Sequence, residues 1–203
     1  MLEAHEFGVP QLRPRSILVA AKPSVWKYFK WPVPGEVATP TVGEALFELM
    51  SSAGWEGAAA WRDNAGAIAP PLVGGSKKHG GADVGPTRAK RHWRDELGVN
   101  GLAFADAPPA SGFSGDPKLT VEMAALIQGF PADWHLSGRK TARYRQIGNA
   151  FPPPVAEAVG RRIAAALEAA DEERETRSAS RVAKLKASQA PSAGHALRGK
   201  ATH

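Results

Sequence analysis

The chain has 203 residues and a formal net charge of +6, with 43% hydrophobic residues and no cysteine. This length fits one domain, or a medium domain with a small one, and the apolar content is sufficient for a packed core. The lack of cysteine excludes disulfides, thiolate metal sites and cysteine nucleophiles within these residues. We find neither an apolar run long enough to cross a bilayer nor a signal-peptide pattern, so we expect a cytoplasmic protein without a membrane partner.

The positive charge is concentrated in blocks. Residues 176–203 hold six Lys/Arg and no Asp/Glu, whereas residues 1–175 are neutral overall. Within that neutral part, residues 77–94 hold six basic side chains and one acid, and residues 139–145 hold four basic side chains and no acid. Such blocks suit a surface that contacts a polyanion, and a solvated surface of mixed charge explains them equally well.

The first predicted element is a strand at residues 15–21, where the run Ile17-Leu18-Val19 suits burial on both faces. In the extended segment before it, Gln11, Arg13 and Arg15 alternate and project to the same side. One amide and two guanidinium groups in that arrangement suit phosphates, base edges or a carbonyl oxygen that gains negative charge. A basic edge strand without such a role is the alternative interpretation.

The middle region, residues 22–117, is rich in Gly, Pro and Trp and has weak periodicity. The spacing of its apolar residues predicts one helix at about 41–52, with Thr41 as the cap. Elsewhere we expect short irregular strands and loops, including a loop at 69–76. Trp93, between two arginines, is the tryptophan to test for nucleic-acid contact, although a core anchor is the commoner role.

Two further helices are predicted after this region. Thr120 caps the first, which stops before Gly129 and Pro131. The second begins in the prolines at 152–154 and carries one apolar stripe that continues to Leu167. That stripe consists of Val155, Val159, Ile163 and Leu167.

Between these helices, residues 143–150 are expected to include a helical turn. Gly148 and Asn149 form a turn just before a helix start, which suits ligand binding and also suits a capped structural turn. The tail from about residue 178 lacks large apolar clusters, and its composition predicts disorder.

Three segments together resemble the motifs of cytosine-5 DNA methyltransferases. The segment Phe7-Gly-Val-Pro-Gln-Leu-Arg-Pro-Arg15 resembles the Pro-Gln-x-Arg-x-Arg motif of that family. Residues 119–131 resemble the next motif, and residues 144–155 resemble the last. Their order and spacing also match the family, in which a variable target-recognition region separates the first two.

The resemblance implies an α/β fold: an incomplete Rossmann-like methyltransferase domain and a small, irregular, β-rich target-recognition domain. The motif-bearing strand of the catalytic domain would occupy residues 1–21, and its C-terminal helices residues 118–175. The recognition region would occupy residues 22–117, and a basic disordered tail residues 176–203.

The resemblance also implies roles for individual residues. Arg15 would contact the carbonyl oxygen of the target cytosine, and Gln11 and Arg13 would brace that pocket. The residues implied at the S-adenosylmethionine site are Gly148, Asn149 and Ala150. The residues implied in contact with double-stranded DNA are Gly74, Gly75, Ser76, Lys77, Lys78, Arg88, Arg91 and Arg94. One departure lies before this loop, where Pro71-Leu72 stands in place of the family's frequent Thr-Leu pair and a hydroxyl hydrogen bond is lost.

A larger departure concerns the reaction itself. Methylation of cytosine C5 needs a nucleophile that attacks C6, and the family uses a cysteine in a Pro-Cys loop. This sequence contains neither that loop, nor the family's Glu-Asn-Val motif, nor its glycine-rich cofactor loop. In family order these parts precede residue 7, so we expect a C-terminal portion with part of the cofactor site, inactive alone.

The resulting hypothesis is part of a DNA methyltransferase of a restriction-modification system. An N-terminal methyltransferase subunit or fragment would be its partner, and both a split enzyme and a truncated gene produce such a chain. The alternative is a non-enzymatic remnant that binds a DNA sequence without modifying it. The six histidines are scattered without a metal-ligand spacing, so no metal is assigned.

Overall fold

The computed structural model describes residues 1–73, 84–102 and 104–188, and these are mainly helical. Two compact units are distinguished. One contains Met1–Val19 and Trp31–Arg162, and the other contains Ala20–Lys30 and the chain from Ile163 onward. Among the helices described, none is both long and apolar enough to span a bilayer.

The described residues form a two-stranded sheet, a short 3-10 helix at Ala4–Glu6 and seven α-helices. Strands β1 (Leu2–Glu3) and β2 (Pro14–Arg15) are antiparallel, with Leu2 opposite Arg15. The helices are α1 (Pro23–Trp26), α2 (Val42–Ser51), α3 (Ala58–Asn64), α4 (Thr87–Asp95), α5 (Val121–Ile127), α6 (Lys140–Asn149) and α7 (Pro153–Ser188).

The predicted strand at 15–21 is wrong beyond its first residue. Strand β2 ends at Arg15, and residues 16–22 have no regular structure. Leu18 is 92% exposed, whereas Ile17 packs beside a small apolar cluster. A strand that is apolar on both faces needs neighbouring strands to pair with, and no described residue pairs with 16–21.

The prediction of a β-rich middle region is also wrong for the described residues. That stretch contains α1 to α4, and its pairing is limited to isolated bridges such as Gln11 with Ala69. The tryptophans that suggested strands and loops instead anchor helices, because Trp61 and Trp93 are buried in the main core. Helix α3 begins with three consecutive alanines, which favour a helix without producing a visible apolar period.

The two predicted caps are confirmed. Thr41 Oγ1 accepts a hydrogen bond from Glu44 N at 3.2 Å, and the Glu44 carboxylate accepts one from Thr41 N at 2.7 Å. These two bonds form a capping box. Hydrogen bonding of the carboxylate to Thr41, its main-chain amide first, holds the pKa of Glu44 below its usual value. Thr120 Oγ1 likewise accepts from Met123 N at 3.2 Å at the start of α5.

The C-terminal prediction needs two corrections. Helix α7 continues to Ser188, so the predicted disorder from residue 178 is wrong for 178–188, and residues 189–203 lie outside the described residues. The predicted apolar stripe is buried only in its first half. Val155 and Val159 are 0% and 6% exposed, whereas Ile163 and Leu167 are 37% and 48% exposed.

The main core lies in the first unit, between α2, α3, α5 and α6. Helix α2 packs on α3 and α5, and α5 packs on α6. Leu46 and Met50 of α2 and Tyr144 of α6 are fully buried. Trp61 Nε1 donates to the carbonyl oxygens of Leu97 and Gly98, at 3.0 and 3.2 Å, so the segment after α4 is fixed to α3.

Candidate active site

The extended segment Pro10–Arg15 alternates between buried and exposed side chains. Gln11 and Arg13 are 0% and 4% exposed, whereas Leu12 is 43% exposed. The main chain is held beside Ala69, because Leu12 N donates to Ala69 O at 2.8 Å and Ala69 N donates to Pro10 O at 3.0 Å. Gln11 and Arg13 therefore share the inner side, as the alternation of an extended chain requires.

Gln11 uses its side-chain amide completely. Its Nε2 donates to Ile127 O at 3.2 Å and to Gln128 Oε1 at 2.9 Å. Its Oε1 accepts from Arg13 Nη1 at 3.0 Å and from Leu72 N at 3.1 Å. Two donors and two acceptor positions are thus filled by protein groups, so Gln11 braces neighbouring segments.

The Arg13 guanidinium is bound by carbonyl oxygens. Nη1 donates to Leu72 O as well as to Gln11, and Nη2 donates to Gly148 O at 2.7 Å. Burial, with a smaller contribution from the positive charge of Arg15, lowers the pKa of Arg13 to about 10, while Tyr144 opposes the shift. Arg13 therefore remains protonated at neutral pH, and carbonyl dipoles replace its hydration.

Gln128 completes the arrangement. Its side chain is fully buried, and its Nε2 donates to Ala150 O at 2.7 Å. We call Gln11, Arg13 and Gln128 the buried amide–guanidinium network. It joins the Pro10–Arg15 segment to the main chain at Leu72 and to the C-terminal ends of α5 and α6.

Gly129 brings the same segments together by close packing. Its φ is +85°, which side chains rarely adopt. A Cβ atom there would lie 2.9 Å from Pro154 Cδ and 3.2 Å from Val9 Cγ2. Gly129 lies two residues after the end of α5. It can approach the start of α7 this closely only because it has no side chain.

Arg15 has a different environment from Arg13. It is partly exposed, and its Nη1 donates to Pro14 O at 2.9 Å. In the part of the chain that the structure describes, no carboxylate forms an ion pair with it. Of the three residues implied at the cytosine, Arg15 is the only one that is not buried.

The three residues implied at the cofactor differ in what they can offer a ligand. Gly148 O and Ala150 O already accept from the network, and Ala150 N donates to Ile147 O at 3.1 Å. Asn149 is the last residue of α6 and its side chain is exposed. Of these three residues, only Asn149 can therefore offer a side-chain amide to S-adenosylmethionine.

The residues implied at DNA are distributed over two segments. Gly74, Gly75, Ser76, Lys77 and Lys78 lie outside the described residues. Arg88, Arg91 and Arg94 are exposed on α4, and Arg94 Nε donates to Asp95 Oδ1 at 2.8 Å. Trp93 is 0% exposed, so the hypothesis that it contacts nucleic acid is wrong; it anchors α4 in the core.

The second basic block, residues 139–145, is partly structural. Lys140 Nζ lies 2.8 Å from Asp106 Oδ1 and donates to Phe104 O at 3.0 Å. Arg143 Nη1 donates to Glu122 Oε1 at 2.7 Å. Two of its four cations thus bind other parts of the fold, and the block is a weaker candidate for a polyanion surface than α4.

Sequence reasoning missed the role of Leu72, whose main-chain amide and carbonyl both bind the network. Pro71 lacks the hydroxyl that the family often has, but the Leu72 main chain supplies contacts that no side-chain pattern reveals. The motif at residues 128–131 indicated that Gln128 and Gly129 matter, although it did not indicate what they contact.

Within the described ranges, we find no group of three or more histidines and carboxylates that could hold a metal ion.

We predict stability effects of very different size for the two arginines. Arg13→Met should leave the carbonyl oxygens of Leu72 and Gly148 without the donors that Arg13 provides, which destabilises the fold by about 3 kcal/mol or more. Arg15→Met, the matched control, should change the free energy of unfolding by less than about 0.5 kcal/mol. Urea denaturation of the full chain measures both. Similar losses in the two variants would contradict the assigned roles.

Gly129→Ala should be more destabilising than Gly112→Ala. Both glycines have positive φ, at +85° and +77°, but a Cβ at Gly112 would meet nothing within 4 Å. The shared backbone strain costs about 1 kcal/mol, and overpacking against Pro154 should add about 1–3 kcal/mol at Gly129 alone. Thermal denaturation of the two variants provides the measurement. Equal shifts would show that the contact of Gly129 with Pro154 is easily relaxed.

Comparison with known proteins agrees with the geometry. The family model for C-5 cytosine-specific DNA methylase matches residues 1–165. The chain is 62% identical to the type II methyltransferase M.NaeI of Lentzea aerocolonigenes, over 82% of this chain and 41% of that protein. It is 48% identical to the type II methyltransferase M.NgoMIV of Neisseria gonorrhoeae, over 82% of this chain and 53% of that protein.

A more distant relative, the type II methyltransferase M1.HphI of Haemophilus parahaemolyticus, is 26% identical over 80% of this chain and 46% of its own length. No solved structure matches the chain. The chain thus spans about half, or less, of the length of the curated relatives it matches. With its three motifs joined by one buried network and a family match over most of its length, the chain belongs to the C-5 cytosine-specific DNA methylase family.

Proposed function

We propose that this chain supplies the cytosine-contacting arginine, the target-recognition region and one side of the cofactor site of a DNA (cytosine-5-)-methyltransferase. The enzyme would methylate cytosine in a specific double-stranded sequence as part of a restriction-modification system, which places it with DNA in the cytoplasm. The observation that carries this proposal is the difference between Arg13, which is buried and bound by carbonyl oxygens, and Arg15, which is partly exposed.

The chemistry of the reaction explains why an accessible guanidinium is needed. Attack of a nucleophile on cytosine C6 moves electrons toward C5 and leaves negative charge on the ring and its carbonyl oxygen. A fixed cation at that oxygen stabilises the charge as it develops, and so acts mainly in the transition state. Arg15 is suited to this role because it lies in β2, is partly exposed and has a single hydrogen bond among those described, to Pro14 O.

Asn149 would bind S-adenosylmethionine, which supplies the methyl group when bound. The Asn149 side chain can donate two hydrogen bonds and accept two, and its position next to the network fixes the main chain on either side. Gly148 and Ala150 would shape this part of the site through their main chain. Their carbonyl oxygens hold the site against Arg13 and Gln128.

The nucleophile must come from outside this chain, since its 203 residues contain no cysteine. We infer that an N-terminal methyltransferase subunit or fragment supplies the Pro-Cys and glycine-rich loops. The lengths of the relatives support this inference, because the chain matches 41% of one and 53% of another.

Helix α4 would lie against the DNA backbone. Trp93 anchors one face of the helix in the core, and Arg88 and Arg91 are exposed three residues apart on its surface. Residues at that spacing are neighbours on a helix, so the two guanidinium groups can reach adjacent phosphates. Arg94 would contribute less, because Asp95 already binds its guanidinium.

The full chain alone should not transfer a methyl group to duplex DNA, because no nucleophile is present. It should support transfer when co-expressed with the part of M.NaeI that lies N-terminal to the matched region. Labelled S-adenosylmethionine provides the assay. In that complex, Arg15→Ala should reduce kcat by about 10²–10³ and change the Kd for DNA much less.

Arg15→Lys should restore part of this loss, because a point charge cannot reproduce a planar fork of donors. Equal losses in turnover and in DNA affinity would make Arg15 a phosphate contact instead. DNA binding by a complex that never methylates would favour the second candidate function, a DNA-binding remnant without enzymatic activity.

DNA binding by α4 should be measurable through its salt dependence. Replacing Arg88 and Arg91 together by glutamine should lower the slope of log K against log salt by about 1 for each lost phosphate contact. Arg94→Gln is the matched control and should change the slope less. Fluorescence anisotropy with a labelled duplex measures the slopes. An unchanged slope in the double variant would remove α4 from the DNA surface.

A further inference from the structure

The segment Ala20–Lys30 has features that the cytosine chemistry does not use. Residues 7–35 contain no Asp or Glu. Within Ala20–Lys30, lysines alternate with aromatic residues; these are Lys22, Trp26, Lys27, Tyr28, Phe29 and Lys30. Aromatic side chains set among unopposed positive charges are typical of surfaces that bind single-stranded nucleic acid.

Two aromatic residues of this segment form a stacked pair. The rings of Trp26 and Phe29 are stacked, with centroids 5.3 Å apart and planes 17° apart. Trp26 is nevertheless 47% exposed. Phe29 stacks on one side of the indole, and nearly half of the Trp26 surface remains accessible to a ligand. Local hydrogen bonds fix the pair, since Trp26 N donates to Lys22 O at 2.9 Å and Phe29 N to Trp26 O at 3.1 Å.

The charges beside the ring pair are of two kinds. Lys27 forms an ion pair with Glu173 of α7, and its Nζ lies 4.8 Å from the centre of the Tyr28 ring. Lys22 and Lys30 are exposed, and neither has an ion-pair partner among the residues that the structure describes. Lys27 therefore holds the segment to α7, while Lys22 and Lys30 remain free to meet an anion.

We propose that Trp26, supported by Phe29, is a stacking platform for an unpaired base of single-stranded DNA. Lys22 and Lys30 bind the phosphates on either side of that base. Every base offers an aromatic face, so the contact is tolerant of sequence, and the local excess of positive charge selects a polyanion over a neutral protein surface. This site is separate from the proposed cytosine chemistry and does not depend on it.

The chain offers a matched control for the platform. Trp134 is 55% exposed and its ring centroid lies 5.5 Å from that of Phe130, so exposure and aromatic backing resemble those of Trp26. Its neighbours in sequence are Asp133 and His135, and no lysine flanks it. The two tryptophans thus differ in their surrounding charge and in the angle to the neighbouring ring, which is 17° for Trp26 and 59° for Trp134.

The test measures binding of the full chain to a labelled thymidine oligonucleotide, single-stranded or in duplex, by fluorescence anisotropy. Trp26→Ala should weaken single-strand binding about tenfold or more and duplex binding much less. Trp26→Phe should retain most of the affinity, and Trp134→Ala should change it less than twofold. Thermal melting of each variant checks that the fold is intact.

A second measurement addresses the lysines. Lys22→Gln with Lys30→Gln should lower the salt slope of single-strand binding by about 0.7 for each contact. The proposal is overturned if Trp26→Ala and Trp134→Ala weaken single-strand binding equally, or if neither does. It is also overturned if Trp26→Ala impairs only association with the N-terminal methyltransferase part, because the segment would then be a protein-binding surface.

Discussion

A buried cation without a carboxylate partner has to be solvated by the protein, and Arg13 is solvated by main-chain and amide oxygens. These oxygens come from Leu72, Gly148 and Gln11, which lie far apart in the sequence. Arg13 Nε is buried without a hydrogen-bond partner among the described residues, so the bonds made by Nη1 and Nη2 carry the solvation of the cation, and losing any one of them would be costly. The three segments must therefore take their positions together, and the candidate site is organised by this requirement more than by any apolar contact.

The same constraint gives Arg13 and Arg15 different environments. Arg13 and Arg15 are two positions apart in an extended chain, yet Arg13 is 4% exposed and Arg15 is only partly buried. Because the Nη groups of Arg13 are occupied by oxygens of the fold, only the guanidinium of Arg15 can meet a substrate. The positive charge of Arg15 adds to the cost of burying Arg13, and it is one cause of the lowered pKa there.

The sequence predicted those parts of the structure that depend on local chemistry. The capping threonines at 41 and 120 follow from short-range rules, and the structure shows them. The alternation places Gln11 and Arg13 together on the inner side, as predicted, whereas Arg15 is only partly buried. The motif resemblance predicted the family, which the comparisons confirm. What could not be predicted depends on partners distant in the chain. No pattern around Leu72 shows that its main chain binds the Pro10–Arg15 segment, and no pattern around Trp93 shows which face of α4 is buried. The strand expected at 15–21 failed for the same reason, since a strand exists only where other strands pair with it.

The way in which Leu72 is held has a consequence for the substitutions that position 72 can accept. Gln11 and Arg13 bind its amide and carbonyl, which every residue except proline provides. These two hydrogen bonds therefore do not depend on which side chain position 72 carries. The Leu72 side chain is a separate requirement, because it is fully buried in the main core. Proline at position 72 is the substitution that the attachment would reject.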